Sequence, residues 1–274
     1  MTRDGYSLLR GLLTGRQIKR LREAVSALGA TRAVDACERP NNTLVPLRWN
    51  DTAVVTALND EVLLRRVRAA TGGSDLRWIS GYVSIKEPRS GPLCWHQDWW
   101  CWSHAVTRQT QAPQVALLCY LNDTTASSGA LRVLAGSHLE SHAIHAVLRN
   151  APGVSSYLSE PDHPAFADQP GQVTLEVRAG DAVLLDYRVL HSTHPNTTNR
   201  SRDCLILSFV PSWSCLPDDV RAHLIGGLAL PTDAERASAQ AMLGHLLPDY
   251  CGTQRDLALV RDAPSRFQHR SSRR

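Results

Sequence analysis

The pair formed by His96 and Asp98 is the first feature of the sequence that could bind a metal ion. It stands in the segment CWHQDWW, residues 94–100. Residues two apart on an extended strand point to the same face, so both side chains can reach one ion while Gln97 faces away. In a chain with 11 histidines such a pair is a weak signal by itself. It needs a second histidine from a distant segment to complete a 2-His-1-carboxylate triad, which leaves coordination positions open for other ligands.

The segment 180–202 contains a second histidine and an arginine that could bind an anion. A Gly-Asp turn starts an apolar strand, His191 comes near the end of that strand, and Arg202 opens the next strand, DCLILSFV. If the two strands pair antiparallel, we expect His191 and Arg202 to lie close together. A guanidinium beside a metal suits a dicarboxylate that chelates the ion at one end and meets the arginine at the other. His194 and Arg200 are the competing candidates for these two roles.

Other chemistries are less well supported by the sequence. Cys94, Cys101 and His104 surround the metal-binding pair, but their spacing matches none of the common zinc patterns, and buried free thiols are the favoured interpretation. A phosphate loop, a dinucleotide fingerprint and a Ser-His-Asp arrangement are all absent from the sequence. A transition-metal site is therefore the favoured chemistry.

Tryptophans are concentrated around the same segment. Most of these rings are expected to pack in the core near the mouth of the site. One or two are expected to line a substrate pocket, because aromatic walls exclude water and provide contact area. The candidates for the pocket are Trp99, Trp100 and Trp102.

Short β-rich segments must position these residues. Capping signals and apolar stripes predict helices at residues 14–28, about 60–70 and 232–246. Between them lie alternating, β-branched segments bounded by turn residues. The strands are predicted at residues 78–86, 114–122, 129–134, 172–178, 181–187 and 203–210. Strands without helical crossovers indicate an antiparallel sandwich or jelly roll, mostly β with flanking helices.

The chain shows no repeat or linker that would divide it, so residues 1–274 are interpreted as a single domain. In chain order, the predicted parts are a helical N-terminal part at 14–72, a β core at 78–211, a C-terminal helix at 232–246, and a basic, flexible tail at 255–274. The long connection 139–170 is a candidate lid over the site.

Composition narrows the class of protein. The hydrophobic content of 43% and charged content of 20% are typical of a globular domain. The net charge of +4 is concentrated in the tail, which is a weak reason to expect nucleic acid, so none is expected. Seven scattered cysteines indicate reduced thiols in a cytoplasm rather than a disulfide framework. We find no apolar run that is long enough to cross a membrane, and expect no membrane partner.

Several segments together resemble the phytanoyl-CoA dioxygenase (PhyH) family over most of the chain. The start, from Asp4-Gly5-Tyr6 to Leu28, is similar to the opening strand and helix of the family. Residues 128–138, SGALRVLAGSH, resemble its Gly-x-Leu…Pro-Gly-Ser-His segment, with Ala135 in place of the usual proline. His96-Gln97-Asp98, His191 and Arg202 match its iron ligands and cosubstrate arginine.

The resemblance implies a double-stranded β-helix core, a jelly roll of the cupin type. It implies Fe(II) bound by the triad His96, Asp98 and His191, and 2-oxoglutarate as a cosubstrate whose distal carboxylate meets Arg202. Lys86 and Thr193 fall at positions where members of the family place residues near the cosubstrate. Oxidation of a small molecule by O2, with release of succinate and CO2, is the implied activity.

The sequence says less about which type of oxidation the protein carries out. Related halogenases replace the carboxylate ligand with a small residue, so Asp98 predicts that this protein does not halogenate. Hydroxylation of an unactivated C–H, in the tailoring of a natural product, is the expected reaction. Desaturation, epimerisation and oxidative cyclisation stay open. A non-redox metal-binding isomerase or sensor of the cupin type is the alternative from another class, and such a protein has no need of a dicarboxylate clamp at Arg202.

Overall fold

The computed structural model describes residues 1–31, 37–150, 158–264 and 267. Its strands form two antiparallel sheets that pack face to face. In chain order the strands are β1 (Tyr6–Leu9), β2 (Cys37–Arg39), β3 (Asn42–Pro46), β4 (Arg77–Lys86), β5 (Leu93–His96), β6 (Val115–Tyr120), β7 (Leu131–Val133), β8 (Val173–Leu175), β9 (Ala182–Asp186), β10 (His191–Thr193) and β11 (Arg202–Val210). The larger sheet has the order β1-β9-β6-β11-β4-β3-β2, and the smaller sheet has the order β5-β10-β7-β8. This arrangement confirms the predicted jelly-roll core.

The centre of the large sheet is buried on both faces. In β6, Val115, Leu117 and Cys119 pack towards the helices, whereas Leu118 and Tyr120 face the small sheet. Because both faces of the strand are covered, its sequence VALLCY is apolar throughout. The inner face of β6 therefore forms one wall of the space between the sheets.

Helices cover the outer face of the large sheet and the ends of the sandwich. They are α1 (Gly15–Thr31), α2 (Thr52–Leu58), α3 (Glu61–Thr71), α4 (Ala143–Arg149), α5 (Asp218–Leu224) and α6 (Arg236–Leu243). The predicted capping box of α1 is present, because the Thr14 amide donates to Gln17 Oε1 at 2.7 Å and Thr14 Oγ1 accepts from the Gln17 amide at 3.4 Å. Within the described ranges, none of the helices has the length and apolarity that a membrane span requires.

Several predicted boundaries differ from the structure. The part 14–72 is not wholly helical, since it includes the hairpin β2–β3, which turns at Asn41 with φ 65°. α1 runs past Gly29, whose helical cost of about 1 kcal/mol does not end a helix. The C-terminal helix is shorter than 232–246, because Thr232 and Glu235 form a turn ahead of α6 and a 3-10 turn follows it.

The connection 139–170 and the tail also differ from expectation. The described residues of 139–170 include α4 and a short 3-10 turn, and they pack on β5 without lining the cavity described below. Residues 151–157 of the candidate lid lie outside the described part. Residues 255–264 of the predicted flexible tail lie against the sandwich, where Val260 pairs with Cys101. Of the remaining tail, only Phe267 is described.

Candidate metal centre and active site

A cavity of about 370 Å³ lies between the two sheets. Side chains from β3, β4, β6, β9 and β11 form one wall, those from β5, β7 and β10 form the opposite wall, and α5 with residues 259–261 closes one side. A volume in this range is typical of a small-molecule site. The predicted triad lines this cavity together with Arg202 and Thr193.

His96, Asp98 and His191 come together at one point of the cavity wall. His96 ends β5, and it is the register partner of His191, which opens β10. Their ring centroids are 4.2 Å apart. Asp98 Oδ1 lies 3.7 Å from His96 Nε2, and Asp98 Oδ2 lies 3.5 Å from His191 Nε2. Among the described residues this is the only group of three metal-ligating side chains, which removes the zinc alternative around Cys94.

The two imidazoles are oriented by backbone carbonyls. His96 Nδ1 lies 2.9 Å from the Cys94 carbonyl oxygen, and His191 Nδ1 lies 3.0 Å from that of Val189. Because a carbonyl only accepts, Nδ1 is the donor in each of these bonds, and Nε2 is the ring nitrogen that lies towards Asp98. Two imidazole nitrogens and one carboxylate oxygen are the donor set of a non-haem Fe(II) site. The side chains thus fit such an ion.

Asp98 is positioned by a loop rather than by the strand. β5 ends at His96, so Asp98 lies beyond the strand, although its side chain still comes beside that of His96 while Gln97 points away, as the alternation predicted. The flanking residues are anchored instead: the Gln97 side-chain amide donates to the Arg188 carbonyl, and the Trp99 amide donates to the Tyr187 carbonyl at 2.9 Å. These two bonds fix the carboxylate of Asp98 against the turn that precedes His191.

The turn after β9 carries the chain from the large sheet to the small one. His191 therefore opens β10 and does not end the strand of residues 181–187. The predicted pairing of its strand with that of Arg202 is also wrong, since β10 pairs with β5 and β7 whereas β11 pairs with β4 and β6. The tight turn at Asp186 allows this crossing. His191 and Arg202 thus reach the cavity from opposite sheets.

Arg202 is a buried cation with unused hydrogen-bonding capacity. Its side chain lines the cavity and its guanidinium carbon lies 5.7 Å from the centre of the Tyr120 ring. In the described part of the chain, the buried Nε of Arg202 has no hydrogen-bond partner. Thr193, which also lines the cavity, accepts a bond at Oγ1 from the Leu93 amide at 3.3 Å. A buried donor without a partner is costly, and a bound carboxylate would satisfy it.

Lys86 is the register partner of Arg202, but its side chain does not line the cavity. The ammonium donates to the carbonyl oxygens of Gly91 at 2.7 Å and Asn41 at 3.2 Å. A Cβ at Gly129 would lie 2.4 Å from Lys86 Cδ, so that position must be glycine. Burial, followed by the charges of Arg202 and a second arginine, lowers the pKa of Lys86 to about 7. The Lys86 ammonium thus links the turn at Asn41 to the loop at Gly91.

The competing candidates lie elsewhere. His194 Nε2 is 2.8 Å from Thr174 Oγ1, outside the triad, and Arg200 is exposed. Trp100 lines the cavity, whereas Trp99 and Trp102 pack in the apolar cluster behind it.

A chain of hydrogen bonds that the sequence did not suggest fixes the cavity wall beside Trp100. Trp100 Nε1 donates to Gln114 Oε1 at 2.9 Å, and Gln114 Nε2 donates to Ser208 Oγ at 2.9 Å. The Tyr187 hydroxyl donates to the same oxygen at 2.7 Å. Burial, followed by the charge of Asp98, raises the pKa of Tyr187. The alternation of residues 114–120 could have indicated Gln114 and Tyr120 as inward-facing.

Two further residues, His223 and Arg261, also line the cavity, but no sequence signal marks them.

Comparison with known proteins agrees with this geometry. The family model of phytanoyl-CoA dioxygenase (PhyH) matches residues 1–204. The ectoine dioxygenase of Nocardia farcinica is 26% identical over 225 residues, which cover 76% of this chain and 74% of that protein. The dioxygenase FUM3 of Gibberella moniliformis is 24% identical over 256 residues, covering 85% and 78% respectively.

Solved structures share the fold. HygX from Streptomyces hygroscopicus, crystallised with nickel, 2-oxoglutarate and hygromycin B, is 20% identical with a TM-score of 0.56, covering 76% of this chain and 83% of its own. The 2-oxoglutarate-dependent epimerase SnoN from nogalamycin biosynthesis is 22% identical with a TM-score of 0.56, covering 76% and 77%. The family match spans most of the chain and includes the triad. This chain therefore belongs to the phytanoyl-CoA dioxygenase family, and it is a non-haem iron oxygenase that depends on 2-oxoglutarate and O2.

Proposed function

We propose that His96, Asp98 and His191 bind Fe(II), and that Arg202 binds the distal carboxylate of 2-oxoglutarate with Thr193 beside it. The observation that carries this proposal is the meeting of two features in one cavity. Two imidazoles on the small sheet and a carboxylate in the loop after β5 form an N,N,O donor set, and a buried guanidinium with an unsatisfied Nε lies on the large sheet. A cupin-type isomerase or sensor would need the first feature but not the second.

The residues of the chain hold and orient the reactants. The bound iron, 2-oxoglutarate and O2 supply the oxidant for a substrate C–H, with succinate and CO2 as co-products. Arg202 fixes one end of the cosubstrate, and the aromatic wall at Trp100 and Tyr187 limits access of water. The carbonyls behind His96 and His191 accept from Nδ1 and so orient each ring with Nε2 towards the proposed metal position.

The reaction assigned to this site is hydroxylation of a small molecule in natural-product tailoring, carried out in the cytoplasm. The tailoring role is supported by relatives of the same fold, one crystallised with hygromycin B and one from nogalamycin biosynthesis. Cys101, Cys119, Cys204, Cys215 and Cys251 carry free thiols, which is what a reducing compartment favours. Product mass separates hydroxylation, which adds one oxygen, from desaturation or cyclisation, which removes hydrogen, and from epimerisation, which leaves the mass unchanged.

The first experiment adds Fe(II) and 2-oxoglutarate to the anaerobic apoprotein and records the visible charge-transfer band of a chelated oxo-acid. His96→Ala should abolish the band, and Arg202→Gln should raise the 2-oxoglutarate concentration that is needed to form it. His194→Ala and Arg200→Gln are matched controls of the same residue types, and both should keep the wild-type band. Iron binding without a band would contradict the proposal and favour the non-redox metal protein.

A further inference from the structure

One side of the cavity is built by a segment that the family match does not include. Residues 255–263, here called the C-terminal strap, lie beyond residue 204, where that match ends. The strap is extended and its backbone is bonded to the sandwich and to α5. The bonds run from the Arg255 amide to the Ala222 carbonyl at 3.2 Å, from the Leu257 amide to His223 Nδ1 at 3.2 Å, from the Val260 amide to the Trp100 carbonyl at 2.8 Å, and from the Trp102 amide to the Val260 carbonyl at 3.0 Å.

The strap directs two side chains into the cavity. Val260 pairs with Cys101, and its neighbours Leu259 and Arg261 both line the cavity, as expected for residues two apart on an extended segment. Leu259 is 55% exposed despite being apolar. Trp100 and Leu224 of α5 line the same side. The strap therefore adds an apolar surface and one cation to the outer part of the site.

Arg261 is the uncompensated charge of this cavity. Within the part of the chain that the structure describes, its guanidinium makes no hydrogen bond or ion pair. Asp98 is the only carboxylate among the described lining residues. If the proposed function holds, the charges of Fe(II), Asp98, dianionic 2-oxoglutarate and Arg202 cancel. The positive charge of Arg261 then faces the space that is left for the substrate.

We propose that the C-terminal strap selects the substrate, and that the substrate is a small amphiphilic anion. Its anionic group, a carboxylate or a phosphate, pairs with Arg261, and its apolar part packs on Leu259, Leu224 and Trp100. This inference rests on the proposed function, because the charge balance includes the bound iron and cosubstrate. A cation at the cavity would also attract anions over cations as they enter.

The test uses the anaerobic protein loaded with Fe(II) and 2-oxoglutarate, and a set of probes with one chain length. Octanoate, octyl phosphate, octanol and octylamine are titrated, and binding is read from the change in the charge-transfer band. An anion should bind about fivefold more tightly than octanol, as an ion pair near the surface permits, and octylamine should bind most weakly. Added salt should reduce the preference for the anions over octanol, because it screens the ion pair. Whichever of octanoate and octyl phosphate binds more tightly identifies the anionic group of the substrate as a carboxylate or a phosphate.

Variants of the strap show which residue causes the preference for anions over octanol. Arg261→Gln should lower the affinity for the anion to that for octanol, and Arg261→Lys should restore part of it. Arg255→Gln is the matched control, since Arg255 lies on the strap but does not line the cavity. Equal binding of octanol and the anions, an unchanged anion affinity in Arg261→Gln, or no probe binding at all would overturn the inference. Failure of the proposed function is distinguishable, because no charge-transfer band would form before any probe is added.

Discussion

Arg188 and Asp186 form a buried ion pair in the turn that carries the chain from the large sheet to the small one. Arg188 Nη2 lies 2.6 Å from Asp186 Oδ2, and Nε donates to the same carboxylate. Arg188 Nη1 also donates to the carbonyls of Thr107 and Gln109, at 2.7 and 2.8 Å. The pair thus ties one turn to a second loop directly behind the triad.

Removal of one partner should destabilise the protein strongly. Arg188→Leu leaves the Asp186 carboxylate buried without its cation and leaves two carbonyls without donors, so we expect a loss of about 3–5 kcal/mol in the free energy of unfolding. Urea denaturation measures it. The double variant Asp186→Leu/Arg188→Leu should recover part of the loss, because no charge stays buried. Arg236→Leu, which removes an exposed ion pair with Asp233, should change little. A loss from Arg188→Leu as small as this control would contradict the interpretation.

Lys86 should give the stability a distinctive dependence on pH. Its pKa is lowered from 10.5 to about 7 in the folded protein, mainly by burial. Between these values the unfolded chain binds one more proton than the folded one. Stability should therefore rise as the pH increases from about 7 towards 10, with a slope of up to about 1.4 kcal/mol per pH unit.

The variant Lys86→Met isolates this contribution. Methionine is unbranched like lysine, one atom shorter, and has no ionisable group, so the wild type should gain stability relative to the variant as the pH rises. Urea denaturation at a series of pH values gives the difference. The comparison cancels titrations elsewhere, because both proteins contain them. A difference between the two proteins that does not vary with pH would show that Lys86 titrates normally.

Thr193 offers a narrow test of the cosubstrate site. Thr193→Val keeps the shape of the side chain but removes the hydroxyl beside the proposed carboxylate position. A hydrogen bond to a charged group contributes about 1.5–3 kcal/mol, so the dissociation constant of 2-oxoglutarate should rise at least about tenfold. Titration of the charge-transfer band measures it. Thr193→Ser, which retains the hydroxyl, is the control. Equal affinities of the two variants would remove Thr193 from the cosubstrate site.

The candidate metal ligands could be found from the sequence because their chemistry is local. His96 and Asp98 are separated by one residue, and His191 follows a strand whose apolar run is unmistakable. The arrangement of strands is harder to predict, since the turn at Asp186 transfers the chain from the large sheet to the small one. The closeness of His191 and Arg202 was predicted from a pairing that does not exist. Both residues line one cavity because the two sheets that carry them pack face to face.

The outer part of the cavity could not be predicted. His223 and Arg261 lie far from the triad in sequence, and the intervening segments carry no recognisable pattern. Lys86 shows the opposite limit: its position in the sequence was informative, but hydrogen bonds to the Gly91 and Asn41 carbonyls direct its ammonium away from the cavity. The direction of a buried side chain depends on long-range packing, which alternation along one strand does not determine.

Asp98 should exclude halide from the iron. Its two oxygens lie 3.7 and 3.5 Å from the Nε2 atoms of His96 and His191, which places the carboxylate where the proposed triad needs its third ligand. The bonds made by Gln97 and Trp99 hold it there. Turnover in the presence of chloride should therefore give no chlorinated product, as checked by mass spectrometry once a substrate is found.

Asp98→Ala provides the complementary measurement, which needs no substrate. Loss of a ligand should weaken iron binding beyond the 10- to 100-fold that is typical of removing an outer-shell partner. Asp162→Ala, at an exposed carboxylate outside the cavity, is the control and should bind iron as the wild type does. If chloride restores the iron affinity of Asp98→Ala but leaves that of the wild type unchanged, the carboxylate and the halide compete for one position. Chlorinated product from the wild type would instead show that Asp98 does not hold the ion during turnover.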